Sequence, residues 1–301
     1  MMDINYELYK VFYHVANTLS FSEASKQLFI SQSAVSQSIK VLEKKLNQTL
    51  FIRSTKRVQL TPEGEILLKH IEPAMNLIKQ GENQLLEANT LNGGQLRIGA
   101  SDTICRYYLV PFLKQFHQKY PNVHIKVTNQ TSIECARLLD SGQVDFCITN
   151  YPNSGFSNTQ NVRMIREFYD VFVANEEYSS LRGKAVSLKE LQEHPILMLD
   201  RKSTTSEFLH KIFQHCQLDL VPEIELSSND LLIDLARIGL GIAFVPDYCI
   251  PQTEKDLFIV TLEEKLPARQ MVVAYNDSLP ISQAAKQFMN MLSDPENRTG
   301  K

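Results

Sequence analysis

The sequence has no tryptophan, and its five cysteines are an odd number, widely scattered, with no C-x-x-C pair. That excludes a disulfide framework and a zinc ribbon, and it fits free thiols in a reducing compartment, buried and inert by default. Only Cys105, just after "ASDTI", carries a second reading, as a redox sensor. No apolar run approaches the roughly 18 residues that a membrane-spanning helix needs. The opening "MMDINYELYK" lacks the basic region and apolar core of a signal peptide. A cytoplasmic protein is the expectation. Also missing are G-x-S-x-G, H-E-x-x-H and the phosphate-cradling G-x-x-x-x-G-K-[ST]. "GLGIAF" at 239–244 lacks the third glycine of a dinucleotide fingerprint and leads into a strand, so it reads as a turn. The seven histidines are dispersed. No catalytic residue, no metal and no cofactor are therefore expected.

What is present is an ordinary soluble composition, 43% hydrophobic and 22% charged over 301 residues, enough for two or three domains. The net charge of −3 hides an asymmetry. Through Thr61 there are eight basic and four acidic residues; beyond it there are 23 and 30. A basic head on an acidic body suggests an anionic partner for the head, with chance surface variation as the alternative.

In the head, Leu8, Val11, Phe12 and Val15 recur at helical spacing. Ser20 with Glu23 forms a capping-box pattern for a second helix through Leu28. Ser31 can cap a third helix with an apolar stripe of Val35, Ile39, Leu42 and Leu46. Its other face, within "FISQSAVSQSIK", carries small hydroxyls and amides and no acid. A helix that enters the major groove needs such a face, because small side chains let the backbone approach base edges and carboxylates would repel phosphate. A three-helix protein-interaction module would share the periodicity. "TLFIRSTKRVQLT" reads as a hairpin with a basic tip, which favours DNA.

Thr61 and Pro62 then open a long helix. Leu67, Ile71, Ala74, Ile78, Gly81, Leu85 and Ala88 alternate by four and three, a seam for a dimerising rod or else a face packed on this chain's own core. Pro73 predicts a kink and "NGGQ" at 92–95 a hinge. From Leu96 strands and helices alternate, which argues an α/β body with largely parallel sheets, "REFYDVFVA" and "RQMVVAY" among its strands. A polar tail follows Ser293.

The run "FSEASKQLFISQSAVSQSIKVLEKKLNQTLFIRSTKRVQLTPEGE" resembles the N-terminal signature of LysR-type transcriptional regulators, and the likeness continues through the long helix to "LRIGASDTI". The resemblance implies an N-terminal all-α winged helix-turn-helix with a long linker helix. Behind it stands a C-terminal α/β two-lobed effector domain like a periplasmic binding protein. It implies a head over 1–61, a dimerising helix and hinge over 62–92 and an effector domain over 93–301. Lobe 1 would hold 93–165 and 268–301, and lobe 2 would hold 166–267. The partners would be double-stranded operator DNA, a small-molecule metabolite, and further copies of the chain in a homodimer or homotetramer, with no membrane. Ser31, Gln32, Ser33, Ser36, Gln37 and Lys40 would lie at the major groove and its flanking phosphates, and Arg53, Lys56 and Arg57 at phosphate or the minor groove. Family members often carry Pro where Ser33 stands and Arg where Gln37 or Ser38 stands, so base specificity does not transfer.

The resemblance also places the effector between the lobes, at strand ends and helix starts, where free N–H groups favour anions. The candidates are Ser101, Asp102, Thr103, Thr128, Asn129, Thr131, Asn150, Ser203, Thr204 and Asn229. Ordinary helix capping would explain any one of them. Asp102 would oppose an acidic ligand unless Arg106 or Arg201 balances it. The competing functions are a solute-binding protein without a DNA role and a body that turns its ligand over.

Overall fold

The structure is a computed structural model that describes residues 4–53, 57–88, 94–157, 160–251, 253–277 and 279–293. The chain divides into two compact units: residues 1–89 with 141–143, and residues 90–140 with 144–301.

The first unit opens with α1 (Tyr6–Thr18), α2 (Phe21–Leu28) and α3 (Gln32–Leu46). Each starts on a side-chain cap, from Asn5, Ser20 and Ser31 in turn, that accepts an otherwise unpaired backbone N–H. Each ends on a residue in the left-handed region: Leu19, Phe29 and Asn47. Val11, Phe12, Val15, Ala24, Val35, Ile39 and Leu42 close the core, and a fully buried side chain of the larger kind contributes about 1.5–3 kcal/mol. The wing is a short antiparallel hairpin of β1 (Phe51–Arg53) and β2 (Val58–Leu60).

The helix α4 (Pro62–Ala88) follows, continuous through Pro73. Thr61 welds its start to the head. The Thr61 hydroxyl donates to the Thr49 carbonyl at 2.7 Å and accepts from the Gly64 amide at 3.0 Å. Gly64 has no room for a side chain, because a Cβ there would overlap the Leu50 carbonyl oxygen. The expected apolar stripe divides between two environments. Leu67 and Ile71 pack on the head core, whereas Ala74, Leu77, Ile78 and Leu85 are exposed. Of the expected hinge, residues 92–93 lie outside the described residues, and Gly94 and Gln95 already belong to a strand. The polar tail after Ser293 also lies outside them.

The second unit starts with β3 (Gly94–Ala100) and a helical run. That run comprises α5 (Asp102–Ile104), a π-helical turn over Cys105–Leu109 and α6 (Val110–Lys119). Then come β4 (Val123–Asn129), α7 (Ser132–Asp140), β5 (Phe146–Tyr151) and β6 (Asn161–Phe168). The chain crosses at Tyr169 into β7 (Asp170–Ala174), β8 (Ala185–Val186), α8 (Leu188–Leu191) and β9 (Ile196–Leu199). Next are α9 (Thr204–His215), β10 (Ile224–Leu226), α10 (Asn229–Arg237), β11 (Ile242–Pro246), β12 (Phe258–Ile259) and β13 (Thr261–Leu262). It returns with β14 (Arg269–Tyr275) and ends in α11 (Gln283–Ser293).

Two five-stranded sheets result, ordered β4-β3-β5-β14-β6 and β10-β9-β11-β7-β12. Both are mixed, not largely parallel. β3 is parallel to β4 and β5, whereas β14 is antiparallel to β5 and β6; likewise β9 is parallel to β10 and β11, whereas β7 is antiparallel to β11 and β12. Strands linked through helices run parallel, and the strands that carry the chain between lobes enter against them. The stretch "REFYDVFVA" is accordingly two strands in two sheets, so the expected junction at 165/166 falls inside β6. Phe146, Phe168, Val273 and Phe288 sit in the core of the first lobe, and Phe172, Phe213 and Phe244 in that of the second.

Candidate DNA-binding face and effector cleft

The helix α3 has a dry side and a wet side. Val35, Ile39 and Leu42 are fully buried, while Ser31, Gln32, Ser33, Gln37 and Lys40 are exposed. Ser31 Oγ accepts from the Ala34 amide at 3.2 Å and shares a hydrogen bond with Ser33 Oγ at 2.9 Å. Ser36 is half-buried and accepts from Arg53 Nη1 at 3.2 Å. The same guanidinium lies 3.5 Å from Glu43 and 4.6 Å above the Phe21 ring. Glu43 also accepts from the amides of Leu50 and Phe51, at 2.9 and 3.3 Å. Arg53 and Glu43 thus brace the wing against α3, a duty beyond the phosphate contact expected of Arg53. Arg57 is exposed, and Lys56 lies outside the described residues. Between Gln32 and Lys40 there is no acidic side chain.

In the body, the first strand end and the start of α10 meet across the lobes. The Asn229 amide donates to Thr103 Oγ1 at 2.9 Å, and the Tyr107 hydroxyl donates to Asp230 Oδ1 at 2.5 Å. Arg106 Nε is 3.5 Å from the same carboxylate, so it balances Asp230 and not Asp102. Burial and the hydrogen bond to Asp230 push the Tyr107 phenol well above its ordinary range. Asp102 is exposed and accepts from Asn129 at 3.4 Å. The Cys105 thiol donates to Asn129 Oδ1 at 3.4 Å, and burial together with the Asp102 charge raises its pKa to about 11. A thiol held protonated is a poor nucleophile, which counts against a redox sensor. Cys216 is exposed, contrary to the expectation that all five thiols are buried.

Other candidates have different duties. Ser101, Thr131 and Ser203 accept backbone amides at the starts of helices. Thr128 is half-buried near the end of β4. Thr204 is buried and accepts from Arg269 Nη2 at 3.0 Å. Asn150 is 7% exposed; its Oδ1, like that of Asn229, has no partner among the described residues. Such buried orphan acceptors suit a site that a ligand completes.

Residues that sequence reasoning passed over form the joint between the lobes. Arg269, at the start of β14, and Asp170, at the start of β7, are completely buried and paired at 2.9 Å. Arg269 also donates to Thr205 Oγ1 at 3.1 Å and is stacked near Phe208 and Phe168 at 4.9 and 5.4 Å. Tyr248 lies beside this pair and Asn150, and burial pushes its phenol well above the ordinary value. The available signal was a single charge inside each of two apolar runs, "FYDVFV" and "ARQMVV". Among the described residues, no three His, Cys, Asp or Glu gather to hold a metal ion. Among them too, no helix is long and apolar enough to cross a membrane.

A winged helix-turn-helix head followed by two crossover-linked mixed sheets is the build of a ligand-responsive transcription regulator. Residues 6–65 match the family of bacterial regulatory helix-turn-helix proteins, lysR family, and residues 89–295 match the LysR substrate binding domain. The chain belongs to the LysR family of transcriptional regulators, which are not enzymes. A free-standing solute-binding protein is thereby set aside. The HTH-type transcriptional activator CmpR of Synechocystis sp. is 25% identical over 286 residues, 94% of this chain and 93% of that protein. Full-length CbnR, solved in complex with its target DNA, shares the fold with a TM-score of 0.64 at 17% identity, over 96% of this chain and 99% of that one. The Synechocystis CcmR regulatory domain, solved with 2-PG, gives a TM-score of 0.61 at 21% identity, over 66% of this chain and 96% of that one.

Proposed function

We propose that the protein reads a partly symmetric operator with the N-terminal half of α3 and the wing, under control of a small metabolite bound between the lobes. The observation that carries this reading is the exposed, acid-free face of Ser31, Gln32, Ser33, Gln37 and Lys40 on a helix whose other face is sealed in the core. Ser31, Gln32, Ser33, Ser36 and Gln37 are assigned to the groove. Lys40, Arg57, Arg53 and Lys56 are assigned to phosphate and the minor groove, with Arg53 also bracing the wing.

The effector site is assigned to Ser101, Asp102, Thr103, Asn129, Asn150 and Asn229, with Thr128, Thr131, Ser203 and Thr204 around them. Orphan acceptors on Asn150 and Asn229 and the cross-lobe contact of Asn229 with Thr103 support it. So does CcmR, whose regulatory domain was solved with 2-PG. The head is taken as residues 1–61, the helix and hinge as 62–92 and the effector domain as 93–301. Exposed Ala74, Leu77, Ile78 and Leu85 support pairing of α4 in a dimer, from which a tetramer is built. A cytoplasmic setting follows from that role.

The test is binding of the full-length protein to duplex from the region upstream of its own gene, titrated with salt. Log affinity should fall linearly with log salt concentration. A thermal-shift screen that begins with 2-PG should raise the melting temperature of the effector domain and alter the DNA complex. No retention of any duplex would remove the regulator reading.

A further inference from the structure

The turn between α2 and α3 displays an apolar side chain that the reading above leaves unused. Phe29 is 94% exposed, more than any other large apolar residue described. Its backbone sits in the left-handed region, φ 55° and ψ 36°, where glycine and asparagine are the favoured occupants. The turn is fixed, because the Phe29 amide donates to the Lys26 carbonyl at 3.2 Å and the Ile30 amide to that of Ser25 at 3.1 Å. Ile30 is itself 42% exposed, and Ser31, the cap of α3, comes next. A β-carbon-bearing residue on this disfavoured backbone conformation lowers the stability of the free protein, and glycine would remove that strain.

The surroundings point to the occupant of this surface. From Ala24 to Leu42 no acidic side chain interrupts the sequence, so the surface around the ring tolerates phosphate. The ring stands two residues before the cap of the helix assigned to the major groove, in continuity with that face. The apolar group a duplex offers there is the 5-methyl of thymine, which Phe is able to cover. Resting on the DNA reading above, we propose that Phe29 packs on a thymine methyl at the edge of the major groove and so selects dT at one position of each half-site.

The probe is a duplex selected by the full-length protein from a random-sequence pool, with each dT replaced singly by dU so that only a methyl is lost. Wild-type protein should lose about fourfold in affinity at one position per half-site, the partition value of one buried methyl-sized group. Phe29→Ala should bind more weakly, with a dT/dU ratio near one at that position and unchanged ratios elsewhere. Phe29→Gly should show the same loss while its melting temperature rises, which separates contact from folding. The proposal is overturned if no position is methyl-sensitive in the wild type, or if either variant keeps wild-type affinity or methyl sensitivity. A wild-type chain that retains no duplex at all would overturn the DNA reading along with it.

Discussion

Replacing Arg269 with Met removes a charge from the joint between the lobes and keeps a long apolar stem. Both Arg269 and Asp170 have completely buried side chains, so the change strands a carboxylate away from water. Breaking a buried pair by deleting one partner costs about 3–5 kcal/mol. Asp170 can escape by taking up a proton. Against an ordinary aspartate pKa near 3.9, that costs about 4 kcal/mol at pH 7 but only about 1.5 kcal/mol at pH 5. For a unit of this size, one kcal/mol moves the melting temperature by about 2–4 °C. Scanning calorimetry of the full chain should therefore show the effector-domain transition about 10 °C lower at pH 7 and only about 4 °C lower at pH 5. The sign follows from linkage. Burial already holds the Asp170 carboxyl above its ordinary value, and Arg269 pulls it back down. Without Arg269 it stands higher still, so the folded variant binds more protons than wild type and gains stability relative to it as pH falls. Adding Asp170→Asn should return much of the loss, because the stranded charge is gone. A shift under 2 °C at pH 7, or equal shifts at both pH values, would refute the reasoning.

Four further outcomes test other parts of the structure. Ser31→Ala removes the hydroxyl that caps α3 and should lower head stability by about 1 kcal/mol, read from its own melting transition; an unchanged transition denies the cap its role. Lys40→Ala should make the slope of log affinity against log salt shallower by about 1, and an unchanged slope would remove Lys40 from the phosphates. Leu85→Asp places a charge on the exposed face of α4 and should halve the particle mass in sedimentation; retention of the parent mass counts against pairing through that face. With a pKa of about 11, Cys105 should be about one part in a thousand thiolate at pH 8, so iodoacetamide should modify exposed Cys216 first. Its alkylation should then quicken about tenfold per pH unit towards pH 11, and rapid labelling at pH 8 would contradict the protonated thiol.

The head was legible because its information is local. A cap at Ser31 followed by Val35, Ile39 and Leu42 at helical spacing is a statement about one helix, and the dry and wet faces of α3 follow from it. The wing was legible for the same reason, as two short β-forming runs around a basic tip. The body was less so, because its decisive pairings are distant. Nothing near Thr204 announces that Arg269, 65 residues away, takes its hydroxyl, nor does Thr103 announce Asn229 at a separation of 126. "REFYDVFVA" reads as one strand because apolar residues continue through the crossing, and only the pairing partners reveal two sheets. The free apolar face of α4 starts one heptad, about two turns, later than the spacing suggested, since Leu67 and Ile71 have the right spacing but are claimed by the head core.

The weld at Thr61 and Gly64 makes the head and α4 a single stiff lever. A reader mounted on such a lever has no swivel of its own. On the reading proposed above, a rotation imposed on the far end of the helix would be passed to the head, and with it the angle at which Gln32 is offered to a base edge.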